Sequence, residues 1–133
     1  MLNQPKVMIV EDDPLLSIVE EKLVRSLGYE VAGKATSGED AINSILDINP
    51  SILLMDIQLA GSLNGIETMK KLRNLNIEIP VIFLSGDNSD VVISEANAVN
   101  YTDFLLKPVS KAALSESLEK AELSLSSESQ FAA

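Results

Sequence analysis

The sequence predicts an α/β fold, a doubly wound sheet of parallel strands with helices on both faces. Three observations predict it. Five short runs read as strands, and KVMIV, ILLM and VIFL among them carry no polar alternation, which is the signature of strands covered on both faces. A helical pattern follows each run, so the order is strand then helix, five times over. The chain has 133 residues, 46% of them hydrophobic and only 4% aromatic, which suits one aliphatic core.

Lys6–Val10 (KVMIV) reads as the first buried strand. Asp13-Pro14 then starts a helix, with Asp13 as N-cap and Pro14 at the first helical position. Leu16, Val19, Leu23 and Leu27 recur at helical spacing, and Gly28 supplies the stop. Glu30–Ala35 is a weaker second strand. Ser37, with Asp40 three positions on, opens a helix striped by Ala41, Ile42, Ile45 and Leu46, and Pro50 closes it. Ile52–Met55 (ILLM) is the third strand and ends at Asp56. After a loop with Gly61 and Gly65, Asn64 and Glu67 mark another helix start, lined by Ile66, Met69 and Leu72. Val81–Leu84 (VIFL) runs into Ser85-Gly86, and a helix is expected over about Asp90 to Ala98. Phe104–Leu106 leads to Lys107-Pro108. Ser110 caps a last helix carrying Leu114, Leu118, Ala121 and Leu125. Residues 1–125 form the expected domain. The Ser-rich stretch 126–133 reads as a frayed tail or linker stub.

Composition narrows the function. There is no cysteine, so disulfides and thiolate metal sites are excluded and a cytoplasmic setting is expected. There is no histidine, which removes the commonest general base. Twenty acids face ten bases, for a net charge of −10, so the chain lacks the basic face that nucleic acid requires. No apolar run approaches the ~18 residues of a membrane span.

An open α/β sheet binds ligands beyond the carboxyl ends of its strands. Glu11, Asp12 and Asp13 follow the first strand, Asp56 the third, Ser85 the fourth and Lys107 the fifth. Converging carboxylates repel unless a cation or a proton relieves them. Carboxylates with backbone carbonyls suit Mg²⁺ or Mn²⁺, with Asp12 and Asp56 as direct ligands, the Gln58 carbonyl as a third and Glu11 acting through water. A cation, an ammonium and a carboxylate nucleophile together suit phosphoryl transfer, with Ser85 donating to a phosphoryl oxygen. Asp13 is read as a helix cap, not a ligand.

The motifs IVEDD (9–13), LLMD (53–56), IFLSG (82–86) and FLLKP (104–108) resemble the receiver domain of two-component response regulators. The resemblance covers nearly the whole chain. It implies a flavodoxin-like (βα)5 sandwich with strand order 2-1-3-4-5. It also implies Asp56 as phosphoacceptor, Glu11 and Asp12 as the Mg²⁺-holding pair, Ser85 and Phe104 as switch residues, and Lys107 as the site lysine before a cis peptide. Gln58 and Asp87, two positions past Asp56 and Ser85, would tune the phosphoryl lifetime. The implied partners are a histidine kinase or histidine phosphotransfer protein, a downstream effector or covalently linked output domain, and a second copy across the fourth helix, fifth strand and fifth helix. Two departures stand out. Ala60 replaces a usual proline in a loop about two residues longer than common, and Asn100-Tyr101 replaces a usual Gly-Ala.

Competing readings are weaker. An aspartyl-phosphate phosphohydrolase wants a second Asp where Gln58 stands. A flavin carrier wants a neutral phosphate loop where Glu11, Asp12 and Asp13 stand. A degenerate receiver serving only as a docking module would lack site residues that this chain has.

Overall fold

The computed structural model describes residues 5–132, with side chains placed through Leu125. Five strands and five helices alternate: β1 (Lys6–Val10), α1 (Pro14–Ser26), β2 (Glu30–Ala35), α2 (Gly38–Ile48), β3 (Ile52–Asp56), α3 (Gly65–Asn74), β4 (Val81–Ser85), α4 (Asp90–Ala96), β5 (Asp103–Leu106) and α5 (Lys111–Ala132). All strand pairs are parallel, in the order β2-β1-β3-β4-β5. Strand order therefore reverses between β1 and β3, which opens a crevice at their carboxyl ends.

Both sheet faces are buried, and alternate strand residues supply two cores. Met8, Val10, Leu53, Met55, Val81 and Phe83 pack under α2, α3 and α4. Val7, Ile9, Ile52, Leu54, Ile82 and Leu84 pack under α1 and α5. That division explains why these runs show no polar alternation. β3 and β4 are buried at every residue, while the edge strands β2 and β5 are only partly covered.

The helix starts follow the expected capping chemistry. The Asp13 carboxylate accepts from Leu15 N at 2.9 Å and Leu16 N at 3.1 Å. Ser37 caps α2, Ser110 caps α5, and Asn64 and Glu67 form a reciprocal capping box on α3. Three helical details differ from expectation. The buried face of α1 is Ser17, Glu20 and Val24, and Val19 is 46% exposed. On α2, Leu46 points outward at 79% exposure. α4 ends at Ala96, two residues early. In the first two cases apolar spacing alone left several faces possible, and contact with the sheet chose another. The last helix also runs on through Ala132, past the expected boundary at 125. No glycine or proline in that stretch stops it. Ala133 lies outside the described residues.

Glycine at 65 is required by a close approach. A Cβ there would sit 2.2 Å from the carbonyl oxygen of Asp56. The bare backbone lets the start of α3 rest against the end of β3. At the opposite end of the sheet, the Arg73 guanidinium gathers three carbonyls. Nη1 donates to Ile77 O and Ile79 O at 2.9 Å each, and Nη2 donates to Asn100 O at 2.8 Å. One side chain thus ties the α3–β4 connection to the α4–β5 connection. Charge-assisted bonds of this kind contribute about 1.5–3 kcal/mol each, less where solvent reaches them. Arg73→Met keeps the apolar stem and removes the donors. It should lower unfolding free energy by about 2–4 kcal/mol, read as a lower urea midpoint at unchanged slope.

Candidate functional site

Backbone pairing carries each candidate residue to the same sheet edge. Glu11 N donates to Ala35 O at 3.1 Å, which prolongs the β1–β2 ladder by one residue. Asp56 stands opposite Leu84, and Ile57 N donates to Leu84 O at 2.9 Å. Ser85 stands opposite Leu106, and Lys107 N donates to Ser85 O at 2.9 Å. Lys107 therefore begins on the edge strand, two strands from β3. Its long stem crosses the interval. Nζ lies 2.9 Å from Glu11 Oε1 and 2.9 Å from Asp56 Oδ2. The Lys107–Pro108 peptide is cis.

Asp56 and Glu11 are each only 1% exposed. The other Asp56 oxygen accepts from Gln58 N at 3.2 Å, and Glu11 Oε2 accepts from Asp13 N at 3.2 Å. Asp12 is more open, and its Oδ2 accepts from Ala60 N at 3.1 Å. Carboxylate oxygens of Glu11, Asp12 and Asp56 lie within 4.8 Å of one another. The Gln58 carbonyl accepts no backbone hydrogen bond among the described residues.

Ser85 is fully buried, but its hydroxyl meets neither Asp56 nor Lys107. Oγ lies 2.8 Å from Asp87 O and 3.1 Å from Gln58 Oε1, and accepts from Asp87 N at 3.0 Å. The Asp87 carboxylate is exposed and turned away, accepting from Ser89 N at 2.8 Å. Phe104 is half-buried beside Phe83 in the core under α2, α3 and α4, apart from the carboxylates. Tyr101 packs on Phe83, with ring centroids 5.7 Å apart.

One member of the cluster escaped sequence reasoning. Glu20, on the inner face of α1, is 5% exposed and packs toward Glu11. Among the described residues its Oε1 finds no hydrogen-bond partner. The available signal was an acid interrupting the apolar spacing of α1. Burial, then the hydrogen bond and charge of Glu11, push its pKa up to about 9. Burial also raises Asp56 to about 7, against the pull of Lys107 and with the added push of Glu11. Burial would raise Glu11 too. Hydrogen bonds from Glu20, Lys107, Asp56 and the Asp13 amide outweigh it and hold Glu11 below its ordinary range. The two carboxylates outweigh burial at Lys107 and hold its ammonium above the ordinary range.

The site thus holds more buried acid than its one ammonium can balance. Two acids meet the shortfall by binding protons more tightly than usual. A hard divalent cation would meet it better. The donor set fits: three carboxylates, an unengaged carbonyl and no nitrogen or sulfur ligand.

Comparison with known proteins bears on the family and the fold. A family model described as the response regulator receiver domain matches residues 7–119. The chemotaxis protein CheY of Thermotoga maritima is 30% identical over 115 residues, covering 86% of this chain and 95% of its own length. The transcriptional regulatory protein ZraR of Salmonella typhimurium is 33% identical over 115 residues, but this chain spans only 26% of it. Among solved structures, the signal receiver domain of a modulated diguanylate cyclase from Desulfovibrio desulfuricans G20 superposes with a TM-score of 0.82. It is 36% identical and covers 90% of this chain and 94% of its own.

Glu20 generates a pH dependence of stability. It holds its proton more tightly folded than unfolded, where 4.5 is the ordinary value. The stability this provides is full below about pH 4.5 and is lost as pH rises toward about 9. In divalent-free buffer, Glu20→Gln should therefore flatten the pH profile. It should raise unfolding free energy by about 1–3 kcal/mol at pH 8 and by much less at pH 5, checked by denaturant melts at both values.

Proposed function

This chain belongs to the response regulator receiver domain family, and we propose that it accepts a phosphoryl group on Asp56 and signals through the change that follows. The observation that carries the proposal is the placement of Asp56. It is a buried carboxylate at the end of β3, with one oxygen 2.9 Å from an ammonium and acids from β1 beside it.

The chain has no histidine, so a histidine-borne phosphoryl group must come from a partner, a histidine kinase or histidine phosphotransfer protein. A carboxylate oxygen of Asp56 attacks phosphorus, the P–N bond to the donor imidazole breaks, and the imidazole leaves with the bonding pair. An acyl phosphate remains on Asp56. Glu11, Asp12, Asp56 and the Gln58 carbonyl would hold a Mg²⁺ or Mn²⁺ ion, which when bound offsets charge on the phosphoryl oxygens. The Lys107 ammonium, already against Asp56, follows the new negative charge. Ser85 then donates to a phosphoryl oxygen, and Phe104 repacks beside it. Those two movements alter the surface of α4, β5 and α5, which serves a downstream effector, a linked output domain or a second copy of the chain. The domain is a cytoplasmic signalling phosphoacceptor whose only chemistry is its own phosphorylation and dephosphorylation. The described residues contain no helix long and apolar enough to cross a membrane.

The donor protein has a surface to meet. α1 starts directly after Asp12 and Asp13, and it exposes Leu15 at 69% and Ile18 at 48%. Apolar side chains this open beside the mouth of a charged site suit docking.

Intact-mass measurement after incubation with acetyl phosphate and Mg²⁺ should show one added phosphate, absent from Asp56→Asn. Labelling that persists in Asp56→Asn would remove Asp56 from the role. Ile18→Asp should slow transfer from a phosphorylated protein donor at least tenfold and leave labelling by acetyl phosphate within about twofold. Equal loss with both donors would place Ile18 in the site instead of the docking face.

A further inference from the structure

We propose that Gln58 is a latch on Ser85, a positioning residue that holds the hydroxyl in a resting arrangement and so sets how readily the site responds to a phosphoryl group. The inference rests on the phosphoacceptor reading above.

A serine hydroxyl has one proton to give and two lone pairs to offer. Every hydrogen bond of Ser85 Oγ among the described residues is with residue 58 or residue 87. Asp87 N donates to it, Asp87 O lies at 2.8 Å and the Gln58 side-chain amide lies at 3.1 Å. The two ends of that amide are assigned by the network around them. With the oxygen facing Ser85, Gln58 competes with Asp87 O for the single proton. With the nitrogen facing Ser85, the hydroxyl gives its proton to Asp87 O and accepts two bonds, which saturates it. In both orientations the hydroxyl's one proton is engaged without Asp56.

The residue at 58 has the length this contact needs. It leaves the chain two positions past Asp56, at the end of β3, and reaches the end of the neighbouring β4. Its own backbone N–H meanwhile supports Asp56 Oδ1. One residue therefore touches both the acceptor carboxylate and the hydroxyl that must turn toward it. Ser85 can serve a phosphoryl oxygen only when its proton leaves the 58–87 pair. Gln58 is exposed, so water takes over its amide once the contact opens. The latch is therefore weak and reversible.

A neutral hydrogen bond of this kind corresponds to about a twofold to tenfold effect on an equilibrium. Gln58→Met keeps the length and removes the hydrogen bond. It should tighten binding of beryllofluoride in the presence of Mg²⁺ by about twofold to tenfold, followed through the backbone amide NMR signals of residues 85–89. In a Ser85→Ala background the same substitution should change that affinity by less than about 1.5-fold, because the group it restrains is gone. Thermal melts of all four proteins confirm that each is folded. An unchanged affinity in Gln58→Met, or an equal gain with and without the Ser85 hydroxyl, would overturn the latch. A wild-type protein that fails to bind beryllofluoride at all would overturn the phosphoacceptor reading itself, and the two failures are told apart by the wild-type titration.

Discussion

The ammonium of Lys107 between Glu11 and Asp56 is the contact on which the site depends. Burying two carboxylates side by side is costly, and truncating one partner of a buried pair typically costs about 3–5 kcal/mol. Here one cation serves both acids at 2.9 Å. That arrangement requires the whole topology. β1 and β3 must be neighbours to bring the acids together, and β5 must lie close enough for a lysine stem to cross β4. Each connection between strands is a helix laid over one face or the other. The two separate cores under those helices fix the strand order as firmly as the ladder does.

The same cluster shows why the site is responsive. A balanced pair would have little reason to accept a further ion or group. Three buried acids against one ammonium leave the site short of positive charge, and Glu20 and Asp56 hold protons more tightly than free carboxyls do. The site is in that sense primed. Its protonation, its cation affinity and the position of Lys107 are linked quantities, and a change in one moves the others.

Much of this was legible in the sequence because the fold writes its layers into simple patterns. Strands buried on both faces read as KVMIV, ILLM and VIFL, and caps at Asp13, Ser37, Asn64 and Ser110 read directly as hydrogen-bond acceptors before helical repeats. The convergence of Glu11, Asp12, Asp56 and Lys107 follows once the strands are parallel and ordered. Three features were not legible. Which face of α1 turns inward was set by its packing over the sheet, which buries Val24 together with Ser17 and Glu20 and leaves Val19 outside. The partners of the Ser85 hydroxyl depend on loop geometry between strands. The Arg73 clamp joins carbonyls far apart in the chain, and a lone arginine near a helix end carries no signal of it.

The close approach at Gly65 has a consequence for how this family of sites can diverge. Gly65 N donates to Ile57 O at 2.9 Å, so the β3–α3 segment leaves and returns at nearly the same point. Among the described residues, the hydrogen bonds of its outer part run from Ala60 N to Asp12 and from Ser62 Oγ to Glu39. Closing a longer excursion between fixed ends costs little, about 0.6 kcal/mol per doubling of length. Chain length in this segment is therefore free to drift, generation by generation, while the acceptor carboxylate stays registered against its neighbours. The rim of the crevice becomes the part open to innovation, and a single hydrogen atom in place of a side chain keeps the floor unchanged.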